Sequence, residues 1–256
     1  MSRGLKKAGF QQGLYQLSAT QKERLGTLRV LHDGRQFVYC KNGAVALVAG
    51  GVCASVITSG MNEQTVTVAH PVGTKAVTIT DSGAGTAEDA YKGGTLVVTA
   101  GGGIGESYII EGNTAAAAGL TFTVFLEDGL LSAWVIATTD VTLYKNKYNG
   151  VVVNPVDGQQ LPVCVPQRPV TAAYYFWGQI LGHGAMLIDV NGAAAGLELD
   201  EKIIVPSLNH AGYGFVNTAP DATAILAGYR HQVGYVIDEA DLTDNEAVLV
   251  QIRIGA

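Results

Sequence analysis

The chain has 256 residues, of which only 15 % are charged while 33 are glycine, and its net charge is -6. Hydrophobic residues make up 48 % and the mean hydropathy is +0.23, which excludes a disordered chain because the apolar content fills a core. A coiled coil or helical bundle needs long charged faces and is excluded by the shortage of charge. High glycine with abundant Val, Thr and Ala instead predicts many short strands and tight turns.

Charge is uneven along the chain. Residues 1 to 41 hold eight basic side chains (Arg3, Lys6, Lys7, Lys22, Arg24, Arg29, Arg35, Lys41) against Glu23 and Asp33, a net +6, and the other 215 residues carry -12. These basic residues are spread among glycine and glutamine, and only Phe10 and Tyr15 offer stacking surfaces, which argues against nucleic acid as the partner. We expect residues 1–27 to form a basic N-terminal arm, either solvated or ordered on a neighbouring subunit. Within it, Ser18 to Arg24 predicts a short helix capped by Ser18, with Gln21 three residues later.

From Leu28 onward, period-two alternation recurs. Residues 35–40, 64–68, 75–80, 120–126 and 247–254 place Thr, Gln or Arg opposite β-branched or aromatic residues and predict half-buried strands. In the last, Val248, Val250, Ile252 and Ile254 point one way and Leu249, Gln251 and Arg253 the other. Turn signals separate the runs: Asp33-Gly34, Asn42-Gly43, Gly50-Gly51, Asp128-Gly129, Asn149-Gly150, Asp157-Gly158 and Asn191-Gly192. The expected class is all-β, with antiparallel sandwich or barrel regions behind an extended arm. We expect a first β region over 28–148 and a second β domain over 149–256. The alternative pairs strands from 28 to 60 with the C-terminal part and makes 61–148 an insertion.

Apolar stretches outside the strands carry little membrane signal. Glycine and serine interrupt the uncharged stretch from Asn42 to Asn62, and Gly50-Gly51 reads as a hairpin, so a soluble protein is expected. Residues 1–26 lack the apolar centre of a secretory signal. Cys40, Cys53 and Cys164 sit in apolar runs without CxxC spacing and read as reduced small hydrophobes, consistent with intracellular assembly.

Catalytic spacings are missing. HExxH, GxSxG and GxxxxGK[ST] do not occur, and the glycine run Gly101-Gly-Gly-Ile-Gly105 lacks the Lys-Ser/Thr end of a phosphate loop and reads as a turn. His183, His210 and His231 could meet at a metal only through folding, and the acidic cluster Asp238, Glu239, Asp241, Asp244 and Glu246 lacks the calcium-loop pattern. No cofactor or metal is expected. Tyr174-Tyr-Phe-Trp177 is the aromatic focus, with Tyr174 and Phe176 on one face and Tyr175 and Trp177 on the other. One pair belongs to the core and the other is free to face a neighbour.

The segment Gly34 to Gly50, the junction Tyr148 to Val153, the segment Pro169 to Pro206 and the closing Gly234 to Asp238 with Ala247 to Ile254 resemble head decoration (cement) proteins of tailed bacteriophages. That resemblance implies a non-enzymatic virion protein, a homotrimer that binds the major capsid protein on the outside of an icosahedral shell. It also implies assembly in the host cytoplasm, with neither nucleic acid nor membrane as partner. The candidate partner-binding residues are Arg3, Lys6, Lys7, Lys22, Arg24, Arg29, Tyr175 and Trp177. The alternative is a receptor- or carbohydrate-binding module of a phage fibre or surface protein, resting on Tyr174 to Trp177. A third reading, a β-fold hydrolase, would use Glu106 and Glu111.

Overall fold

The structure is a computed structural model that describes residues 9–56, 61–83, 85–156, 160–189, 203–217, 231–237 and 246–254. All its regular elements are strands: β1 (Leu28–Val30), β2 (Gln36–Asn42), β3 (Cys53–Ala54), β4 (Gln64–Thr65), β5 (Ala76–Thr80), β6 (Thr95–Ala100), β7 (Ser107–Asn113) and β8 (Thr121–Leu126). The chain continues through β9 (Asp140–Tyr144), β10 (Asn149–Val153), β11 (Pro162–Pro166), β12 (Tyr175–Asp189), β13 (Ile203–Pro206), β14 (Gly214–Asn217), β15 (Gly234–Val236) and β16 (Glu246–Arg253). The protein is all-β, as its composition and alternation predict. Among the described residues no helix is long and apolar enough to cross a membrane.

The chain divides into two compact units. Unit 1 combines Met1–Val56 with Tyr148–Ala256, and unit 2 is Ile57–Lys147. This corrects the expected grouping of 28–148 as one region: Cys40 of β2 pairs with Phe176 of β12, so residues 28–56 belong with the C-terminal part, as in the alternative arrangement. Local patterning identifies strands and their faces, but a strand's partner is set by which apolar faces can be buried together.

In unit 1 the pairings close into two five-stranded rings that share β12. The first runs β2, β10, β3, β11, β12 and back to β2; the second runs β12, β14, β13, β15, β16 and back to β12. Two contacts are parallel, β2 with β10 and β12 with β14. At Leu181, β12 ends its pairing with β2 at Gln36 and begins pairing with β16 at Arg253. Gly182, with φ +95, sits at this handover, where Cβ would crowd Arg35.

Each ring encloses its own core. Val38, Cys40, Leu47, Cys53, Val151, Cys164 and Phe176 fill the first, and Met186, Ile188, Ile204, Val248, Val250 and Ile252 fill the second. The alternation predicted for 247–254 is seen directly: Val248, Val250, Ile252 and Ile254 are buried while Leu249 is exposed. Strand β2 departs from alternation, because Phe37 and Tyr39 on its outer face are buried as deeply as Val38 and Cys40. The cover is the N-terminal arm, whose Leu14 and Leu25 pack on Phe37, Tyr39 and Trp177.

Unit 2 is one six-stranded antiparallel sheet in the order β4, β9, β6, β7, β8, β5, curled so that its two edge strands meet and the barrel nearly closes. The Thr78 N–H of edge strand β5 donates to His70 Nε2 at 3.1 Å, a side-chain link at the unpaired edge. Its core holds Ile79, Leu96, Ile110, Phe122, Leu126, Trp134 and Leu143.

One turn recurs in both units. Isolated bridges pair Leu47 with Val170, His70 with Trp134 and Thr86 with Ala116, and the residue three positions after each, Gly50, Ala173, Gly73, Ala137, Asp89 and Gly119, has positive φ. The two copies of a pair are reciprocal: Gly50 N–H donates to Pro166 O and Ala173 N–H to Gly43 O, and likewise Gly73 to Leu130 and Ala137 to Val66. The Gly50-Gly51 hairpin expected from sequence is absent for this reason. Gly50 closes a clasp with the Val170 turn, and β10 lies between β2 and β3. The Asn149-Gly150 signal likewise falls on an irregular step at the start of β10. Asp157-Gly158 and Asn191-Gly192 lie outside the described residues.

Candidate functional site

The described arm residues 9–27 lie on unit 1 of their own chain. Gln12 is the anchor: it is buried, its Nε2 donates to Gln16 O at 2.7 Å and Tyr175 O at 3.0 Å, and its Oε1 accepts from Tyr39 Oη at 2.6 Å. The Gln12 carbonyl accepts from Trp177 Nε1 and from Arg29 Nη1, both at 3.2 Å. Ser18 forms a reciprocal backbone bridge with Tyr175. The predicted helix over Ser18 to Arg24 is absent: Ser18 Oγ accepts from Thr20 N–H, and its hydroxyl donates to Thr20 O, a local turn that competes with helix.

This arm changes the standing of the aromatic focus. Phe10 packs edge-on against Trp177 with centroids 5.1 Å apart, and the Arg29 guanidinium lies 4.8 Å from the Phe10 centroid and 5.6 Å from that of Trp177. Trp177 is therefore only 3 % exposed, and its role as a partner-binding residue is corrected to that of a platform for its own arm. The face assignment made from alternation holds, with Phe176 and Tyr174 in the first-ring core and Tyr175 and Trp177 on the opposite side. Tyr175 stays partly accessible, stacked on Tyr39 at 5.9 Å with Lys41 Nζ 5.6 Å from its ring. Burial pushes the Tyr39 phenol up. Lys22 and Arg24 expose their side chains on the arm, whereas Arg3, Lys6 and Lys7 lie outside the described residues.

Unit 1 also carries an open cleft of about 450 Å³ at the β12 handover, lined by Asp33, Gly34, Arg35, Leu181, Gly182, His183 and Gln251. Arg35 Nε donates to Asp33 Oδ2 at 2.7 Å, and the Arg35 backbone N–H and guanidinium together hold the Asp33 carboxyl below the usual carboxylate range. The pairing leaves the cleft a neutral polar surface, suited to hydrogen bonding more than to capturing an ion.

In unit 2, the glycine run is the β6–β7 hairpin loop, with Gly101, Gly103 and Gly105 all at positive φ. A Cβ on Gly103 would meet the Glu106 carboxylate at 2.6 Å, so that glycine makes room for a side chain of the same loop, while Gly101 and Gly102 let the backbone at Thr138 and Ala133 approach. Hydroxyls of Ser132 and Tyr108 donate to the two Glu106 oxygens and hold its carboxyl below the usual range. Glu111 points outward from β7. Leu131 N–H donates to Tyr108 Oη at 2.9 Å, so the loop and the 131–136 segment lie at one end of the unit. There Ile104 and Leu131 are exposed at 69 and 74 %, beside exposed Val135 and Ile136.

Among the described residues no group of three His, Cys, Asp or Glu side chains is placed to hold a metal ion. His210 Nδ1 lies 3.2 Å from Oδ1 of buried Asp189, whose Oδ2 accepts from Ser207, and Ser207 Oγ in turn accepts the Asn209 and His210 N–H groups. This network joins the β13–β14 turn to the end of β12. The acidic residues from Asp238 to Asp244 lie outside the described residues. Sequence reasoning missed Gln12 and the cleft, because nothing in the local pattern marks a glutamine as a buried anchor or brings residues 33–35 to 181–183. No family model, curated protein or solved structure matches the chain.

Proposed function

We propose that this protein is a non-enzymatic capsid decoration protein of a tailed phage, which binds the outer face of the head shell and stabilises contacts between capsomers. The observation that carries this reading is the exposed apolar end of unit 2. Ile104, Leu131, Val135 and Ile136 are all exposed where the β6–β7 loop meets the 131–136 segment, on a barrel whose core is well packed, and exposed apolar surface of this kind is what a protein neighbour covers. The resemblance of residues 34–50, 148–153 and 169–206 to decoration proteins supports it. So does the concentration of positive charge in the first 41 residues, which gives the chain two chemically different contact surfaces.

The carbohydrate-binding alternative rests on an exposed aromatic run, and the burial of Trp177 removes its main platform. The test is to mix the purified protein with undecorated heads. Bound copies and a higher temperature of head disruption are expected, and both should weaken in an L131D/I136D double variant. Heads that gain neither bound protein nor thermal stability would refute the proposal. Deleting residues 1–8 alone asks whether the basic end contributes, since removing all of 1–27 would also uncover Trp177.

A further inference from the structure

Three strands of the first ring each bring one cysteine to the same place. Cys40 of β2, Cys53 of β3 and Cys164 of β11 are all fully buried in one core cluster. Cys164 is the centre: Cys40 Sγ donates to Cys164 Sγ at 3.9 Å, and Cys53, whose own Sγ donates to the Gly51 carbonyl at 3.5 Å, is its register partner on β3. Both thiols favour the thiolate of Cys164, the Cys40 bond most, while burial opposes it; Cys53 is pushed up by its contact with Cys164 and by burial. Gly178 of β12 leaves the space for this sulfur, because a Cβ there would stand 2.4 Å from Cys164 Sγ.

Geometry selects one pair. Cys53 and Cys164 are cross-strand partners on adjacent antiparallel strands, where partner Cα atoms lie about 4.5–5.5 Å apart, inside the range a disulfide spans. Strands β2 and β11 flank β12 on opposite edges of the closed ring, about 8 Å apart across it, which is beyond the Cα separation of an unstrained disulfide even though the inward-pointing sulfurs of Cys40 and Cys164 touch. We propose that Cys53 and Cys164 are a latent disulfide, closed when hydrogen peroxide oxidises Cys164, with Cys40 retained as a thiol beside it.

The chemistry balances with peroxide as the oxidant. The Cys164 thiolate attacks one peroxide oxygen; the O–O bond breaks, an S–O bond forms, and the departing hydroxide takes a proton to become water. The Cys53 sulfur then attacks the sulfenic sulfur of Cys164; the S–O bond breaks, the S–S bond forms, and the hydroxide leaves as a second water with the Cys53 proton. Two thiols are oxidised and one peroxide is reduced. The bridge closes a loop that contains all of unit 2, since Cys53 precedes Ile57 and Cys164 follows Lys147. A loop of that length restricts the unfolded chain strongly, and the melting temperature of unit 1 should rise by roughly 5–10 °C.

The full-length protein is treated with hydrogen peroxide in low, non-denaturing urea, quenched, denatured and alkylated without reduction, then digested and mapped by mass spectrometry. The expected result is a Cys53–Cys164 linked peptide with Cys40 alkylated, a raised melting temperature, and return of both to the starting state with dithiothreitol. The C53A variant should stop at sulfinic acid on Cys164 with no rise in melting temperature. If C53A does not fold, C40A serves in its place and must still form the link. Three alkylated cysteines after treatment, a linked peptide containing Cys40, or sulfinic acid at Cys164 of the unsubstituted protein would each overturn the inference.

Discussion

Unit 2 and unit 1 solve the same problem, closing a β-sheet on itself, by opposite routes. Unit 2 is continuous in sequence and wholly antiparallel, and β6–β7 and β7–β8 are neighbours both along the chain and in the sheet. Unit 1 closes its first ring with β2 against β12, so that ring forms only once the chain has returned from unit 2, whereas the second ring is built from β12 to β16 alone. Local pairing makes folding fast and self-contained, while distant pairing makes it depend on loop closure. The difference also fixes where a defect spreads: a fault in β12 is shared by both rings, and a fault in unit 2 has its own core to act on.

The largest effects should come from truncating one core at a time. Trp134→Ala in unit 2 and Phe176→Ala on β12 each empty a fully buried aromatic site, which costs about 3–5 kcal/mol. Urea unfolding followed by the fluorescence of the remaining tryptophan separates them: W134A should leave the Trp177 transition nearly in place, and F176A should lower it while sparing that of Trp134. Equal loss of both transitions in either variant would mean that the two units do not unfold separately.

Next in size is the arm. Gln12→Ala removes acceptors and donors from Tyr39, Gln16 and Tyr175 together, a loss of about 1–3 kcal/mol. It should shift Trp177 emission to longer wavelength by letting water reach the indole, without moving the Trp134 transition.

A smaller effect separates the units by pH. Burial holds the His70 imidazole below its ordinary value, and Nε2 must stay unprotonated to accept from Thr78. The unfolded chain therefore takes up a proton before the folded one does. The stability of unit 2 from this group is full above the unfolded value near 6.5 and declines as pH falls below it, levelling off once the folded value is passed. Unfolding of unit 2 followed from pH 8 to pH 5 should show that decline, and His70→Gln, which keeps an acceptor, should flatten it.

The smallest effect tests the recurring clasp. Ala137 and Ala173 adopt φ of 62° and 63° where other copies of the turn use glycine. Replacing either with glycine relieves left-handed strain of about 1–2 kcal/mol, against an entropy cost of about 0.5–1 kcal/mol. The expected gain is roughly 0.5 kcal/mol, in unit 2 for A137G and in unit 1 for A173G, read as a higher melting temperature of the unit concerned.

Much of the fold was legible residue by residue. Alternation located β5, β8 and β16 and sorted Tyr174 and Phe176 from Tyr175 and Trp177, because a pleated strand turns side-chain order directly into facing. It did not reveal β12 as one long strand, since Gly178, Gly182 and Gly184 replace the residues that mark strands. Those glycines are there for tertiary reasons: each stands where Cβ would collide with Cys164, Arg35 or Gln179. The clasp was hidden likewise, because its signature is a bridged residue followed three positions later by positive φ, and Ala137 and Ala173 carry no turn signal in sequence. The candidate site shows the same limit. Sequence picked out Trp177 as the aromatic to watch, but its exposure depends on Gln12, which lies far away along the chain.

By itself, then, the sequence determined the class, the positions of β2, β4, β5, β8 and β16, the side-chain facing along those strands and the asymmetry of charge, all of which follow from neighbours a few residues apart. Tertiary structure decided that residues 28–56 belong with the C-terminal part, that the arm covers its own chain and that three cysteines share one core. Each of these joins segments on opposite sides of unit 2, and burial of complementary apolar faces, not local pattern, selects such partners.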